Sequence, residues 1–115
     1  MDSKEVLKEY FGYDSFRAGQ EDIINAILEK KDVLAIMPTG AGKSLCYQVP
    51  AMMLSGITVV ISPLISLMQD QVKSLNDVGI NAAYVNSTLS ESEIDGTLNM
   101  VLKWLYQTPP VVCTR

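Results

Sequence analysis

Four residues carry the clearest chemistry in this chain: Gly40, Gly42, Lys43 and Ser44, in the run MPTGAGKS at residues 37–44. Two glycines one residue apart let the main chain turn tightly, because neither carries a Cβ. Such a turn aims successive backbone N–H groups inward, and at the start of a helix those groups form an anion site. Lys43 adds a point charge toward the terminal phosphates of a polyphosphate, and Ser44 offers a hydroxyl to magnesium, which prefers oxygen ligands. The full phosphate-loop pattern, G-x-x-x-x-G-K-[ST], is not met, since Met37 stands at its first glycine. The remaining G-x-G-K-S is a site only between a strand and a helix; elsewhere it is a glycine-rich turn with one exposed lysine.

The flanking sequence supplies that context. Residues 33–37 are an unbroken apolar run without alternation, which predicts a strand covered on both faces. A helix is expected from about Lys43 to Leu54, with Pro50 as its weak point. Upstream, Asp2 with Glu5 caps a first helix whose apolar face is Val6, Leu7, Tyr10 and Phe11, and Gly12 ends it. A second helix spans about 18–29 on Ile23, Ile24, Ile27 and Leu28. Downstream, residues 57–61 read as a second buried strand. Ser66 is placed to cap a helix over about 67–78 that Gly79 ends. Residues 82–85 form a weaker strand, and Ser90 with Glu93 forms a capping box before a helix to about Tyr106. Residues 111–113 are a strand stub. This alternation predicts an α/β fold with a parallel sheet.

Composition narrows the function. With 115 residues there is room for one small domain, and 48% apolar residues are enough for a real core. Nine basic against thirteen acidic residues give a net charge of −4, which excludes nucleic-acid binding by bulk charge but not local phosphate contacts. With no histidine and two cysteines, a histidine base, a histidine triad, most zinc schemes and a disulfide framework are excluded. No apolar stretch approaches the roughly 20 residues that span a bilayer. With no signal peptide visible, a reducing, cytoplasmic location is expected.

The run MPTGAGKSLCYQVPA, residues 37–51, resembles motif I of the RecQ family of DNA helicases, in helicase superfamily two, whose members commonly lack the first glycine. FGYDSFRAGQEDII, residues 11–24, is similar to that family's motif 0. The match covers about residues 11–90. It implies a RecA-like P-loop domain of three layers, here incomplete, with a short parallel sheet of three or four strands. It also implies that ATP and magnesium are bound by Tyr13, Arg17, Gln20, Pro38, Thr39, Gly40, Ala41, Gly42, Lys43 and Ser44. Lys43 would act on the reacting phosphates and Ser44 on the metal. The residue types agree: a glutamine amide matches the adenine N6/N7 edge, and Tyr13 and Arg17 offer planar stacking surfaces. Phe11 and Phe16 are left to the core.

ISPLISLMQDQV, residues 61–72, resembles motif Ia, which in the family touches the backbone of single-stranded DNA. Ser62, Ser66 and Gln71 are its candidates, against a plain strand end and helix cap with Leu64, Leu67 and Met68 in the core. NSTLS, residues 86–90, is similar to the next motif and adds Asn86, Ser87 and Thr88, although the capping role of Ser90 explains that run almost as well. Between Lys73 and Lys103 there is no basic residue, and the acidic residues there read as a solvated helix face rather than a DNA surface.

The family's Asp-Glu-x-His motif does not occur in this sequence, and the resemblance fades after about Asn99. The expected organisation is one partial nucleotide-binding domain: motif 0 helices at 1–30, the phosphate loop and DNA-facing motifs at 31–99, and a divergent tail at 100–115. Three readings follow. The chain is the ATP-binding portion of a RecQ-like helicase, inactive by itself in hydrolysis and unwinding; a non-catalytic nucleotide-binding module; or a truncated remnant without ligand that self-associates through an exposed sheet edge.

Overall fold

The computed structural model describes residues 1–38, 42–62, 64–105 and 109–114. They fall into two compact units, Met1–Leu54 and Ser55–Arg115.

The first unit is helical. α1 (Ser3–Phe11) starts where the Asp2 side chain accepts a hydrogen bond from the Glu5 N–H at 2.8 Å. It stops at Gly12, which takes the left-handed conformation at φ 75°. α2 (Gln20–Leu28) follows the left-handed Gly19, and α3 (Leu45–Met53) runs through the buried Pro50. Val6 and Leu7 of α1, Ile24 of α2 and Val49 of α3 meet in one core, with Tyr10, Phe11, Phe16, Leu28, Leu45, Met52 and Met53 around it. Phe11 and Phe16 are thus packing residues, as expected.

Residues 33–37 correct the sequence reading. They are neither a strand nor covered: Leu34 is 90% and Ile36 91% exposed. An apolar run becomes a strand only when a ladder partner satisfies its N–H and C=O groups. None of the three paired strands takes these residues as a neighbour.

The second unit is an α/β layer. β1 (Thr58–Ile61), β2 (Ala82–Val85) and β3 (Val111–Thr114) form a parallel sheet in the order β1-β3-β2. The stub expected at 111–113 is therefore the central strand. Val111 stands level with Thr58 on one side and Ala82 on the other, and Val111, Val112 and Cys113 are all buried. α4 (Ile65–Asp77) packs on β2 and β3, and α5 (Glu91–Trp104) packs on β2. Val101 of α5 sits on Ala83 and Val112, with Val85 and Trp104 beside them.

β1 is not the buried strand that the apolar run at 57–61 predicts. Val59 and Ile61 are exposed, because they continue the Ala83–Val112 side of the sheet beyond the reach of α5. Ser66 does not cap α4 either. The helix begins at Ile65 after Leu64, with no side-chain cap. Ser62 makes the local turn instead, its Oγ accepting from the Leu64 N–H at 3.3 Å. The capping box of α5 forms as read: Ser90 Oγ accepts from the Glu93 N–H, and Glu93 accepts from the Ser90 N–H.

Candidate nucleotide site

Gly42 is the first described residue of the turn that leads into α3, and its φ of 76° lies in the left-handed region. Thr39, Gly40 and Ala41 lie outside the described residues. After Gly42 the chain winds directly into the helix, with Leu45 N–H bonding to Gly42 O at 3.3 Å and Gln48 N–H to Ser44 O at 3.0 Å. The first three N–H groups of α3, those of Leu45, Cys46 and Tyr47, bond back to the carbonyls of Gly42, Lys43 and Ser44. Lys43 is exposed and Ser44 half-buried. Ser44 occupies the N-cap position in helical geometry and makes no side-chain cap bond. Pro38 is exposed.

Arg17 and Gln20 close on this turn from the start of α2. Gln20 is only 1% exposed. Its Nε2 donates to the Gly42 carbonyl at 3.0 Å, and its Oε1 accepts from the Arg17 N–H at 2.8 Å. Gln20 N–H returns a bond to Arg17 O at 3.1 Å. The backbone of Gly42 is approached so closely that a Cβ there would lie 2.3 Å from Gln20 Nε2 and 3.9 Å from Arg17 Cδ. The positive φ favours glycine at this position, and a Cβ would also have to displace the end of the Gln20 side chain. Sequence reasoning placed Gln20 and Gly42 in the same site but missed their contact. Tyr13 is 52% exposed, just past the C-terminal turn of α1. The geometry brings Arg17, Gln20, Gly42, Lys43 and Ser44 to one end of the helical unit.

Magnesium can be fitted against this donor set. The described residues contain no cluster of three or more carboxylate, thiol or imidazole groups that would hold an ion. A Ser44 hydroxyl not committed to capping suits magnesium carried in by a triphosphate, which keeps water and phosphate oxygens as its other ligands. Thiol chemistry is not in prospect. Burial pushes the thiols of Cys46 and Cys113 up, which favours the protonated, weakly nucleophilic form.

The DNA candidates lie in the second unit. Ser62 follows β1 and Asn86 follows β2, and the strand ends Ile61 and Val85 both pair with Thr114. The two motifs therefore flank the carboxyl end of β3, the edge where open parallel sheets bind ligands. Ser87 and Thr88 are exposed there. Asn86 is buried, its Oδ1 accepting from the N–H and the hydroxyl of Thr88 and its Nδ2 facing Met68 Sδ at 3.7 Å. It shapes the loop from inside. Ser66 is exposed in the first turn of α4, and Gln71 is half-buried further along it. Of the three apolar residues assigned to the core here, Met68 is buried, while Leu64 and Leu67 are exposed.

A family model described as DEAD/DEAH box helicase matches residues 17–114, and the chain belongs to that family. It is similar to the ATP-dependent DNA helicase RecQ of Bacillus subtilis (strain 168), with 52% identity over 106 residues, 91% of this chain. The RecQ helicase of Haemophilus influenzae is 51% identical over 114 residues, 96% of the chain. The rat ATP-dependent DNA helicase Q1 is 44% identical over 112 residues, 92% of the chain. The chain spans 18% of the length of each of these relatives. The α/β layer with its parallel sheet agrees with the RecA-like fold of the family. Among the described residues no helix is long and apolar enough to cross a membrane.

Proposed function

We propose that this chain is the ATP-capturing portion of a RecQ-like DNA helicase motor. The observation that carries the reading is the left-handed Gly42 at the entry to α3, with Gln20 lodged against it and Lys43 and Ser44 next in line. In this reading the turn and the start of α3 hold the phosphates by backbone N–H groups. Lys43 neutralises the terminal phosphate, and Ser44 would hold the magnesium that compensates the remaining charge. Tyr13, Arg17 and Gln20 receive adenine. Pro38, Thr39, Gly40 and Ala41 complete the phosphate turn. Single-stranded DNA is assigned to the half-buried Ser62 and the exposed Ser66 and Ser87, with Gln71 on α4 and Asn86 as the support of its loop. Neutral hydroxyl and backbone contacts there would position a strand without reading its sequence.

Binding and turnover part company in this polypeptide. Phosphoryl transfer needs an oriented water and charge stabilisation of the transition state as well as a held triphosphate. Lys43 and Ser44 supply only the holding. The 115-residue polypeptide is therefore expected to bind magnesium–ATP, to hydrolyse it negligibly and to unwind nothing. Calorimetry tests this with the wild type and Lys43→Ala. Loss of one charge-assisted phosphate contact should weaken binding by about 10- to 100-fold. Equal affinity of the two proteins, or no binding by the wild type, would refute the reading. A steady hydrolysis rate abolished by Lys43→Ala would refute the inactivity.

A further inference from the structure

We propose that Asn76 is a surrogate strand: its carboxamide occupies the outward peptide groups of Ala82 and closes the outer edge of β2 to a strand from a second copy of the chain. This device lies wholly in the second unit and is independent of the nucleotide site.

Among the described residues β2 ends the strand order. Its register shows which of its peptide groups look outward. The Val111 N–H of β3 donates to Asn81 O at 2.9 Å, and Val111 stands level with Ala82. In a parallel ladder Val111 therefore bonds to the residues on either side of Ala82, and the N–H and C=O of Ala82 itself point away from β3. Those of Tyr84, level with Cys113, do the same. Such an outward row is what recruits another strand.

At Ala82 the row is already filled. Asn76 Oδ1 accepts from the Ala82 N–H at 3.0 Å, and Asn76 Nδ2 donates to the Ala82 carbonyl at 3.2 Å. One acceptor and one donor of a planar amide meet one strand residue from the side, as the C=O and N–H of a neighbouring strand would. The reach is set by the end of α4. Asn76 lies in its last turn, and the left-handed Gly79 with the Ile80 N–H on Leu75 O at 3.0 Å turns the chain straight back into β2. Asparagine is a weak helix former, and here its side chain is committed to the strand rather than to the helix.

Bulk does not close this edge. Beside Ala82 and Tyr84 lies a cavity of about 510 Å³ between Val72 of α4 and Gly96, Thr97 and Met100 of α5. A Cβ at Gly96 would meet nothing within 4 Å. A strand has room there, but Asn76 holds the first pairing position, and the Asn86 carbonyl beyond β2 already accepts from the Leu89 N–H at 3.2 Å. An incoming strand is left with Tyr84, too short a ladder to hold.

Amide hydrogen exchange on the 115-residue chain, wild type and Asn76→Ala, at low and high protein concentration, tests this. The Ala82 amide should exchange slowly in the dilute wild type and about tenfold faster in Asn76→Ala, the worth of one hydrogen bond. The Tyr84 amide should exchange rapidly in the wild type at both concentrations. In Asn76→Ala it should become protected as concentration rises, because a second copy now pairs along β2. A residue that merely pins α4 to β2 would speed Ala82 and leave Tyr84 indifferent to concentration, and that result overturns the proposal. So does a rapid Ala82 amide in the dilute wild type, or protection of wild-type Tyr84 that grows with concentration. Circular dichroism checks the fold of the variant. Should Asn76→Ala not fold, Asn76→Ser, whose side chain is too short to reach both Ala82 groups, takes its place and is read by the same outcomes.

Discussion

Gly42 is where residue chemistry is most demanding. Any side chain there meets two penalties, a left-handed backbone and the Gln20 amide. Gly42→Ala should destabilise the helical unit by about 2–4 kcal/mol, combining the left-handed cost with loss of the Gln20 bond. Chemical denaturation measures this, and a change within the error of the method would mean that the turn relaxes freely. Residue-level reading of the sequence was strong wherever the partner was near. Asp2 with Glu5, Gly12, and Ser90 with Glu93 each act within three or four positions, and each stands as read. The Gln20–Gly42 bond spans 22 positions and could not be reached that way. Its one trace in the sequence is the demand for glycine at the second position of G-x-G.

At the scale of elements, local signals predicted helices better than strands. A helix satisfies its own backbone, so its caps and apolar face suffice to locate it. A strand depends on a partner elsewhere in the chain. Residues 33–37 have the composition of a buried strand and no ladder, whereas the short segment at 111–114 gains two neighbours and becomes the centre of the sheet. The cap of α5 gives a test at this scale. The Ser90 backbone N–H, and after it the Ser90 hydroxyl, hold the Glu93 carboxyl below its ordinary value. A carboxylate with a lowered folded value adds stability that is present above the ordinary Glu range and is lost as pH falls through the lowered value. Ser90→Ala should cost about 1 kcal/mol at neutral pH. The bond it removes, from the Glu93 N–H to Ser90 Oγ, does not need the carboxylate, so most of that cost should hold across pH. Glu93→Ala removes the carboxylate that accepts from the Ser90 N–H; its cost should be present at neutral pH and shrink in acid as Glu93 of the wild type becomes protonated, and a pH-independent cost would show that the box does not contribute as drawn.

For the whole molecule, the issue is uncovered apolar surface. Leu34 and Ile36 in the first unit, and Val59 and Ile61 in the second, are exposed on segments of strand-like composition. Among the described residues β1 lies at one end of the strand order and has a single ladder neighbour. Open edges with apolar faces recruit other strands. The 115-residue polypeptide is therefore expected to self-associate as concentration rises. Light scattering on the wild type and Ile61→Lys checks this, with association weakened in the variant. A wild type that stays monomeric at high concentration would contradict it. The chain's membership in the DEAD/DEAH box helicase family does not depend on that outcome.

The central claim is that the entry to α3 captures a triphosphate. Titrating magnesium–ATP into ¹⁵N-labelled chain and following backbone amide resonances puts it to the test most directly. The account predicts saturable shifts concentrated at Gly42, Lys43 and Ser44, with Arg17 and the Gln20 side-chain amide moving at the same ligand concentration. Resonances that stay still there, or shifts confined to the second unit, would contradict it.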